Sequence, residues 1–257
     1  MTLISELMVL PVPVSNPRSA FAAETGWMSH RLDAFELSRA NAGVTLERVS
    51  LLSTPVGHIT ISYLEGTASY RDVARTIRTT PTVFDQDMMS RGRVLHGLSE
   101  EQQREKRKPL DTSVLYRAVN GKRQPWHAFV APVAPDAEQR WNEFCTALGG
   151  ARREAFEEFN RRNGFSVFCA GRYDSGRGWL GCYYLEGSED VDALPAAVGR
   201  DGEFETWFAG EFAAVHGADL RQGLPYPAVG KPWDWVEGEA NPVVAPIFAQ
   251  VNALLGE

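Results

Sequence analysis

The alternation of hydrophobic and polar residues predicts two runs of elements that follow the same order. Each run opens with a short apolar strand and a long helix whose apolar residues recur at helical spacing. A strand pair, a second helix ending in His-Gly and a weaker last strand follow. The predicted bounds are 7–14, 18–42, 44–53, 58–65, 82–95 and 113–119, then 126–133, 136–163, 165–173, 179–186, 203–215 and 232–238, with a further helix at 243–255.

The two runs also share sequence. The tetrapeptide YLEG stands at 63–66 and again at 184–187, an offset of 121 residues. Longer blocks align at offsets of 121 and 120, namely 31–43 with 152–164 and 84–97 with 204–217. Collinear matches of this kind indicate an internal duplication. YLEG itself is interpreted as structural, because its Tyr and Leu fill a sheet and its Glu-Gly turns the chain.

The order βαββαβ is the ferredoxin-like pattern. The sequence therefore predicts an α+β protein made of two fused ferredoxin-like repeats. The predicted boundaries are a first repeat core at 1–98, a linker with the last strand of the first repeat at 99–125, a second repeat at 126–238 and a C-terminal helical tail at 239–257.

Three of these features carry a resemblance to a known superfamily. YLEG, the long helix ending in glycine and the block FETWFAGEFAAVHGADL (204–220) resemble the dimeric α/β-barrel superfamily of ferredoxin-like domains. In particular they resemble a poorly characterised family of single domains of about 100 residues. The second copy matches better, since the first has Asp87 and Met88 where the second has Trp207 and Phe208. The resemblance implies a pseudo-dimeric α/β barrel closed by one chain.

Composition narrows the range of partners. The net charge is −7, whereas a general nucleic-acid binder needs a basic face. No apolar run reaches the roughly 18–20 residues that a membrane helix requires, and the N-terminus lacks the basic start of a signal peptide. Three cysteines without zinc-ligand spacing fit reduced thiols and no metal. We expect a cytoplasmic monomer or homodimer, with the basic stretch at 104–108 in a solvated linker.

Strand alternation predicts which side chains of the two hairpins face the barrel interior. The inward set of the second hairpin is aromatic and basic: Phe168, Arg172, Trp179 and Tyr183. The inward set of the first is small and polar: Glu47, His58, Thr60 and Ser62. The opposite face of the second hairpin is apolar and expected under the helices: Phe165, Val167, Cys169, Leu180, Cys182 and Tyr184.

These inward residues are the predicted site. His58 is the candidate acid or base, with Glu47 beside it to raise the imidazole pKa. Arg172 would hold an anionic group and Tyr183 would donate to a developing oxyanion. Thr60, Ser62, Phe168 and Trp179 would contact the substrate. Each role has an alternative: a surface histidine at a strand end, an arginine paired with an acidic neighbour, and a packed tyrosine. His96 and His216 are instead expected to act as cations near the last carbonyls of their helices.

Three functions remain open. The first is a small-molecule-binding barrel that acts without a cofactor on an aromatic, polyketide-like or other enolisable substrate, as a cyclase, isomerase or monooxygenase. The second, which the resemblance also allows, is a haem enzyme, since a single axial histidine has no motif. The third is a ligand-binding or interaction protein without catalysis.

Overall fold

The structure is a computed structural model that describes residues 3–102, 109–118, 124–188 and 190–239. The chain divides into two units. Unit 1 comprises the described residues of Met1–Leu51, Gly57–Pro109 and Val229–Glu257. Unit 2 comprises those of Leu52–Val56 and Leu110–Ala228.

Strands and helices are interspersed along the described residues. As far as residue 117 the elements are β1 (Ile4–Pro11), α1 (Pro17–Ser29), α2 (Leu32–Ala42), β2 (Val44–Thr54), β3 (Gly57–Gly66), α3 (Tyr70–Thr79), α4 (Val83–His96) and β4 (Thr112–Arg117). From residue 126 they are β5 (Trp126–Pro132), α5 (Glu138–Gly149), α6 (Arg153–Arg162), β6 (Val167–Asp174), β7 (Trp179–Glu186), α7 (Ala193–Val198), α8 (Glu203–His216), a 3-10 turn (Leu220–Gln222) and β8 (Tyr226–Val236). The predicted α+β class is confirmed.

Each unit has its own four-strand arrangement. In unit 1 the strand order is β1-β3-β2-β8, and in unit 2 it is β5-β7-β6-β4. β1 runs antiparallel to β3, with Met8 opposite Ser62 and Leu10 opposite Thr60. In unit 2, Phe129 lies opposite Tyr183 in the antiparallel pair of β5 and β7.

The last strand of each run pairs wholly or partly with a strand of the other run. β4 follows the first run in sequence, but it is antiparallel to β6 in unit 2. β8 begins in unit 2, where Tyr226 pairs with Val130, and continues in unit 1 beside β2. There the Glu237 amide donates to the Thr45 carbonyl over 2.9 Å.

The long helix predicted in each run is two helices in the structure. α1 ends where the Ser29 hydroxyl donates back to the Thr25 carbonyl over 2.8 Å, a contact that bends helices and competes with their backbone bonds. In the second run the interruption falls at Gly149 and Gly150, residues of low helix propensity. α3 was not predicted, although Ser69 caps it by accepting from the Asp72 amide over 3.2 Å.

The two sheet faces are interchanged relative to the prediction. Phe168 and Tyr183 pack in one cluster with the helical residues Phe156, Phe208 and Phe212, so their face lies under the helices. The cysteine-bearing face, predicted there, is the opposite one. The error has a physical cause: Cys169, Cys182 and Tyr184 are also fully buried, so hydrophobicity does not distinguish the two faces.

Both YLEG copies make the same contacts. Tyr63 donates to the Glu65 carboxylate and Tyr184 to that of Glu186, each over 2.5 Å. The closing glycine is required sterically. A Cβ at Gly66 would lie 2.2 Å from the carbonyl oxygen of Gly43, and a Cβ at Gly187 would lie 2.2 Å from that of Gly164.

Two expectations, on the basic stretch at 104–108 and the helix at 243–255, lie outside the described residues. Among the helices in the described ranges, none has the length and apolar character needed to cross a membrane. In the same part of the chain, no group of three or more His, Cys, Asp or Glu side chains is placed to hold a metal ion.

Candidate functional site in unit 1

Unit 1 contains a cavity of about 120 Å³ between its sheet and its helices. Its walls are mostly apolar, with a few polar and charged groups. The lining residues are Met8, Leu10, Phe21, Glu24, Thr25, Met28, Arg39, Glu47, Val49, Thr60, Ser62, Leu64, Tyr70, Val73, Ile77, Met88, Gly92, Leu95 and His96. Three of the five methionines of the chain are among them.

Two small residues leave this space open. Ser62 on β3 and Gly92 on α4 both line the cavity and are both buried. At the offsets of the sequence repeat, their counterparts in unit 2 are Tyr183 and Phe212. The corresponding region of unit 2 is filled by aromatic rings, whereas that of unit 1 is hollow.

A buried ion pair forms one wall of the cavity. The Arg39 guanidinium donates to the Glu47 carboxylate, and their side chains are only 5% and 12% exposed. Arg39 also donates to the Ser38 hydroxyl over 3.1 Å and lies 4.3 Å from the centre of the Phe35 ring. These contacts hold a cation beside an otherwise apolar space.

His96 supplies an imidazole at the end of α4. Its Nδ1 lies 2.8 Å from the Pro11 carbonyl oxygen, and the side chain is buried. Because a carbonyl only accepts, Nδ1 carries the hydrogen in this contact. The lining thus includes an imidazole that is oriented by the backbone of β1.

Glu24 on α1 adds a second carboxyl to the lining. Burial raises the pKa of Glu24, and the charge and hydrogen bond of Arg91, 2.9 Å away, partly offset this rise. A carboxyl with a raised pKa in a cavity wall is a candidate for proton exchange with a ligand.

The counterpart of His96 in unit 2 is His216, whose imidazole binds a hydroxyl group. The His216 Nδ1 lies 2.8 Å from the Pro132 carbonyl oxygen, and its Nε2 lies 2.6 Å from the Tyr183 hydroxyl. Tyr183 therefore donates to Nε2. Burial raises the pKa of Tyr183 well above its usual value and lowers that of His216 to about 4, so both are neutral at pH 7. A neutral His216 cannot act as the cation expected at this helix end.

We expect acid to destabilise the protein through His216. Its pKa is near 6.5 when unfolded and about 4 when folded, so the unfolded chain binds the proton first as the pH falls. Stability should decline by about 3 kcal/mol between pH 6.5 and pH 4 from this group alone. Urea unfolding at several pH values should show that His216→Gln removes this part of the slope, whereas His30→Gln, at an exposed position, leaves it unchanged. An unchanged slope in His216→Gln would contradict the assignment.

The structure separates the predicted site residues. Glu47, Thr60 and Ser62 line the cavity, but on the helix-covered face and not in a barrel interior as predicted. His58 is half-buried at the start of β3 and is not part of this lining. Their catalytic and binding roles stay predictions.

The predicted residues of the second hairpin lie elsewhere in unit 2. Phe168 and Tyr183 belong to its closed aromatic core. Arg172 lies 3.2 Å from the Glu138 carboxylate and 4.1 Å from the centre of the Trp179 ring. The alternative reading of Arg172, pairing with an acidic neighbour, describes this contact.

Sequence reasoning missed Arg39, Gly92 and the cavity-facing position of His96. The signal was present in the repeat itself. In the alignment of the two copies, Ser62 corresponds to Tyr183 and Gly92 corresponds to Phe212. Two small residues at positions where the other copy has large ones indicate a space in unit 1.

Comparisons with known proteins give no family for the chain. No protein-family profile matches it, and no curated protein does. Solved structures similar to it include an anthrone oxidase-like protein (13% identity, TM-score 0.45, 93% of this chain and 98% of that one). A candidate monooxygenase of Lactobacillus acidophilus (12%, 0.45, 89% and 94%) and one of Fusobacterium nucleatum (7%, 0.43, 93% and 96%) are also similar. TM-scores below 0.5 do not establish a shared fold, so function must rest on the residues of this chain.

Proposed function

We propose that unit 1 binds one ring-sized, largely apolar molecule in its cavity. The observation that carries the proposal is the hollow of about 120 Å³ with an apolar lining and a few converging polar groups, which is the usual composition of a ligand site. An engineered apolar cavity of about 150 Å³ is large enough for benzene. The methionines in the wall can adjust to the shape of a ligand.

The polar groups support a proton-transfer reaction that needs no cofactor. The His96 imidazole, which lines the cavity, would take a proton from the carbon beside a carbonyl group of the ligand, and the electron pair of the broken C–H bond would move to the carbonyl oxygen. Return of the proton to that oxygen gives the enol. Arg39 would stabilise the enolate between the two steps, and Glu47 would keep the guanidinium in place. Cyclisation, isomerisation and oxygenation of enolisable substrates can all begin with this step.

The wider architecture is part of the same proposal. The chain would be a duplicated ferredoxin-like repeat whose two units form a pseudo-dimeric barrel, with unit 1 the working copy and unit 2 its filled counterpart. A haem does not fit the cavity, because a porphyrin occupies several times about 120 Å³. A Soret band in the purified protein would favour the haem alternative, and binding without proton transfer would favour a carrier.

Filling the cavity tests the site. With cyclohexanone as probe at about 100 Kd, we expect wild-type stabilisation of about 2.7 kcal/mol, which raises Tm by about 5–10 °C. Gly92→Phe should abolish this shift, because the ring occupies the hollow. Gly210→Phe is the matched control, since Gly210 is exposed and an added Cβ there meets nothing within 4 Å. An equal shift in both variants would place the binding elsewhere.

Exchange of the probe's α hydrogens tests the chemistry. In D₂O the wild type should accelerate exchange at the carbons beside the carbonyl of cyclohexanone, measured by NMR. His96→Gln should lower this rate by roughly 10²–10⁴-fold, the usual share of a general base, while the Tm shift with cyclohexanone persists. If the wild type exchanged the α hydrogens of cyclohexanone no faster than buffer does, the site would bind the ligand without catalysing proton transfer.

A further inference from the structure

A chain of buried polar contacts joins the cavity of unit 1 to the start of α4. The Arg39 guanidinium, which lines the cavity, donates through Nη1 to the Ser38 hydroxyl over 3.1 Å. That hydroxyl donates to one oxygen of the Asp85 carboxylate over 2.5 Å. The other oxygen accepts from the amide and the hydroxyl of Thr82, the residue that caps α4, over 2.8 and 2.7 Å. Ser38, Arg39 and Asp85 are all buried, so the chain lies away from solvent.

Two contacts fix the plane of the Arg39 guanidinium. Nε donates to the Glu47 carboxylate and Nη1 to the Ser38 hydroxyl. Because a guanidinium is planar and its N–H groups point in fixed directions, these two contacts also set the direction of Nη2. Nη2 lies 3.3 Å from the sulfur of Met88, which lines the cavity as well. A thioether is a weak acceptor, so an oxygen in this place would bind the cation more strongly.

Unit 2 has other residues at the positions of Ser38, Arg39 and Met88. At the offsets of the sequence repeat they are Phe159, Asn160 and Phe208. The two phenylalanines belong to the aromatic cluster that fills unit 2. The oriented guanidinium therefore belongs to the unit that contains the cavity, as expected if it serves a ligand.

We propose that Arg39 Nη2 is the subsite for a carbonyl oxygen of the ligand, which displaces the Met88 sulfur, and that Ser38, held by Asp85, positions the guanidinium for it. This inference rests on the proposed function and narrows the ligand class to uncharged ring ketones and related carbonyl compounds. The ligand is uncharged because Glu47 already balances the charge of Arg39. Ser38 and Asp85 are positioning residues, since neither is part of the cavity lining.

Binding of cyclohexanone and methylenecyclohexane to the full chain tests the subsite, because the two rings differ only in carrying C=O or C=CH₂. Ser38→Ala should weaken the binding of cyclohexanone about tenfold and leave that of methylenecyclohexane unchanged. Ser38→Thr, which keeps the hydroxyl, should retain the wild-type affinity for both. Ser29→Ala is the matched control, since Ser29 is also buried but its hydroxyl donates to the Thr25 carbonyl.

The outcomes separate this inference from the proposed function. If Ser38→Ala weakened both probes equally, or neither, the positioning role would be wrong while the cavity remained a ligand site. If the wild type bound neither probe, both proposals would be overturned.

The carbonyl resonance of ¹³C-labelled cyclohexanone tests the subsite on the wild type itself. A hydrogen bond from a guanidinium deshields the carbonyl carbon, so the bound resonance should lie downfield of its position in hexane. Ser38→Ala should reduce this displacement. Met88→Leu, which removes the competing sulfur at nearly the same volume, should not reduce it. A bound wild-type resonance at the hexane position would overturn the carbonyl subsite, even if cyclohexanone still raised Tm.

Discussion

Replacing Arg39 with methionine is expected to lower the free energy of unfolding by about 3–5 kcal/mol, because it leaves the Glu47 carboxylate buried without its cation. The side chains of Arg39 and Glu47 are only 5% and 12% exposed, so the pair has little contact with solvent. The variant also loses the contact with the Phe35 ring. Urea unfolding at pH 7 measures the change.

The repeat suggests the matched comparison. Asn160 and Phe168 stand at the offset positions of Arg39 and Glu47, so unit 2 does without the pair altogether. The double variant Arg39→Met/Glu47→Leu should regain most of the lost stability, since replacing both members of a buried pair with apolar residues is often neutral. Arg153→Met, which breaks an exposed pair with Glu157, should cost at most about 0.5 kcal/mol. A double variant no more stable than Arg39→Met would mean that the pair itself stabilises unit 1.

Truncating Phe208 to alanine is expected to cost about 3–5 kcal/mol, the range for buried aromatic residues. The side chain is fully buried, and its ring lies 5.3 Å from Phe144 and 6.0 Å from Phe159. Removing it leaves a void in the aromatic core of unit 2. Thermal and urea unfolding both report this loss.

Trp207 is the neighbouring control. The sequence predicts that one of Trp207 and Phe208 is buried against the long helix and the other lies near a cavity rim; in the structure Phe208 is the enclosed residue and Trp207 is half-buried. Arg152 covers the Trp207 ring at 5.3 Å, and water reaches the rest. Trp207→Ala should therefore cost clearly less than Phe208→Ala, and the reverse order would contradict the packing described.

The order of elements could be predicted from the sequence because both halves show the same succession of hydrophobic and polar patterns. α4 and α8 each end at a histidine followed by a glycine with φ near +60°, and the repeat of His-Gly marks both ends. α3 was missed although Tyr70, Val73, Ala74 and Ile77 stand at helical spacing after the Ser69 cap. The pairing of β4 with β6 joins strands that are far apart in the sequence, and local patterns of hydrophobic and polar residues do not specify such a pairing.

Three of the eight residues predicted for the site line the unit 1 cavity, and the other five do not. Glu47, Thr60 and Ser62 were recognised as polar residues that need a partner or water, and they do line a cavity. Its location could not be predicted, because both faces of each sheet are buried and alternation alone assigns no face to the helices. Arg39 is a charged residue that the sequence alone would place toward solvent, and its contacts with Glu47 and Phe35 in the structure reveal its burial.

β4 belongs to the first half of the sequence but pairs in unit 2, and β8 belongs to the second half but continues into unit 1. Each half of the chain therefore supplies a strand to the sheet that the other half mainly forms. A chain cut between residues 118 and 124 would give one fragment with β1 to β4 and another with β5 to β8. The first would lack the strand that completes the sheet of unit 1, and the second would lack the strand beside β6. Each fragment would expose an unpaired strand edge that only the other can cover. The two halves are therefore a natural pair for fragment complementation.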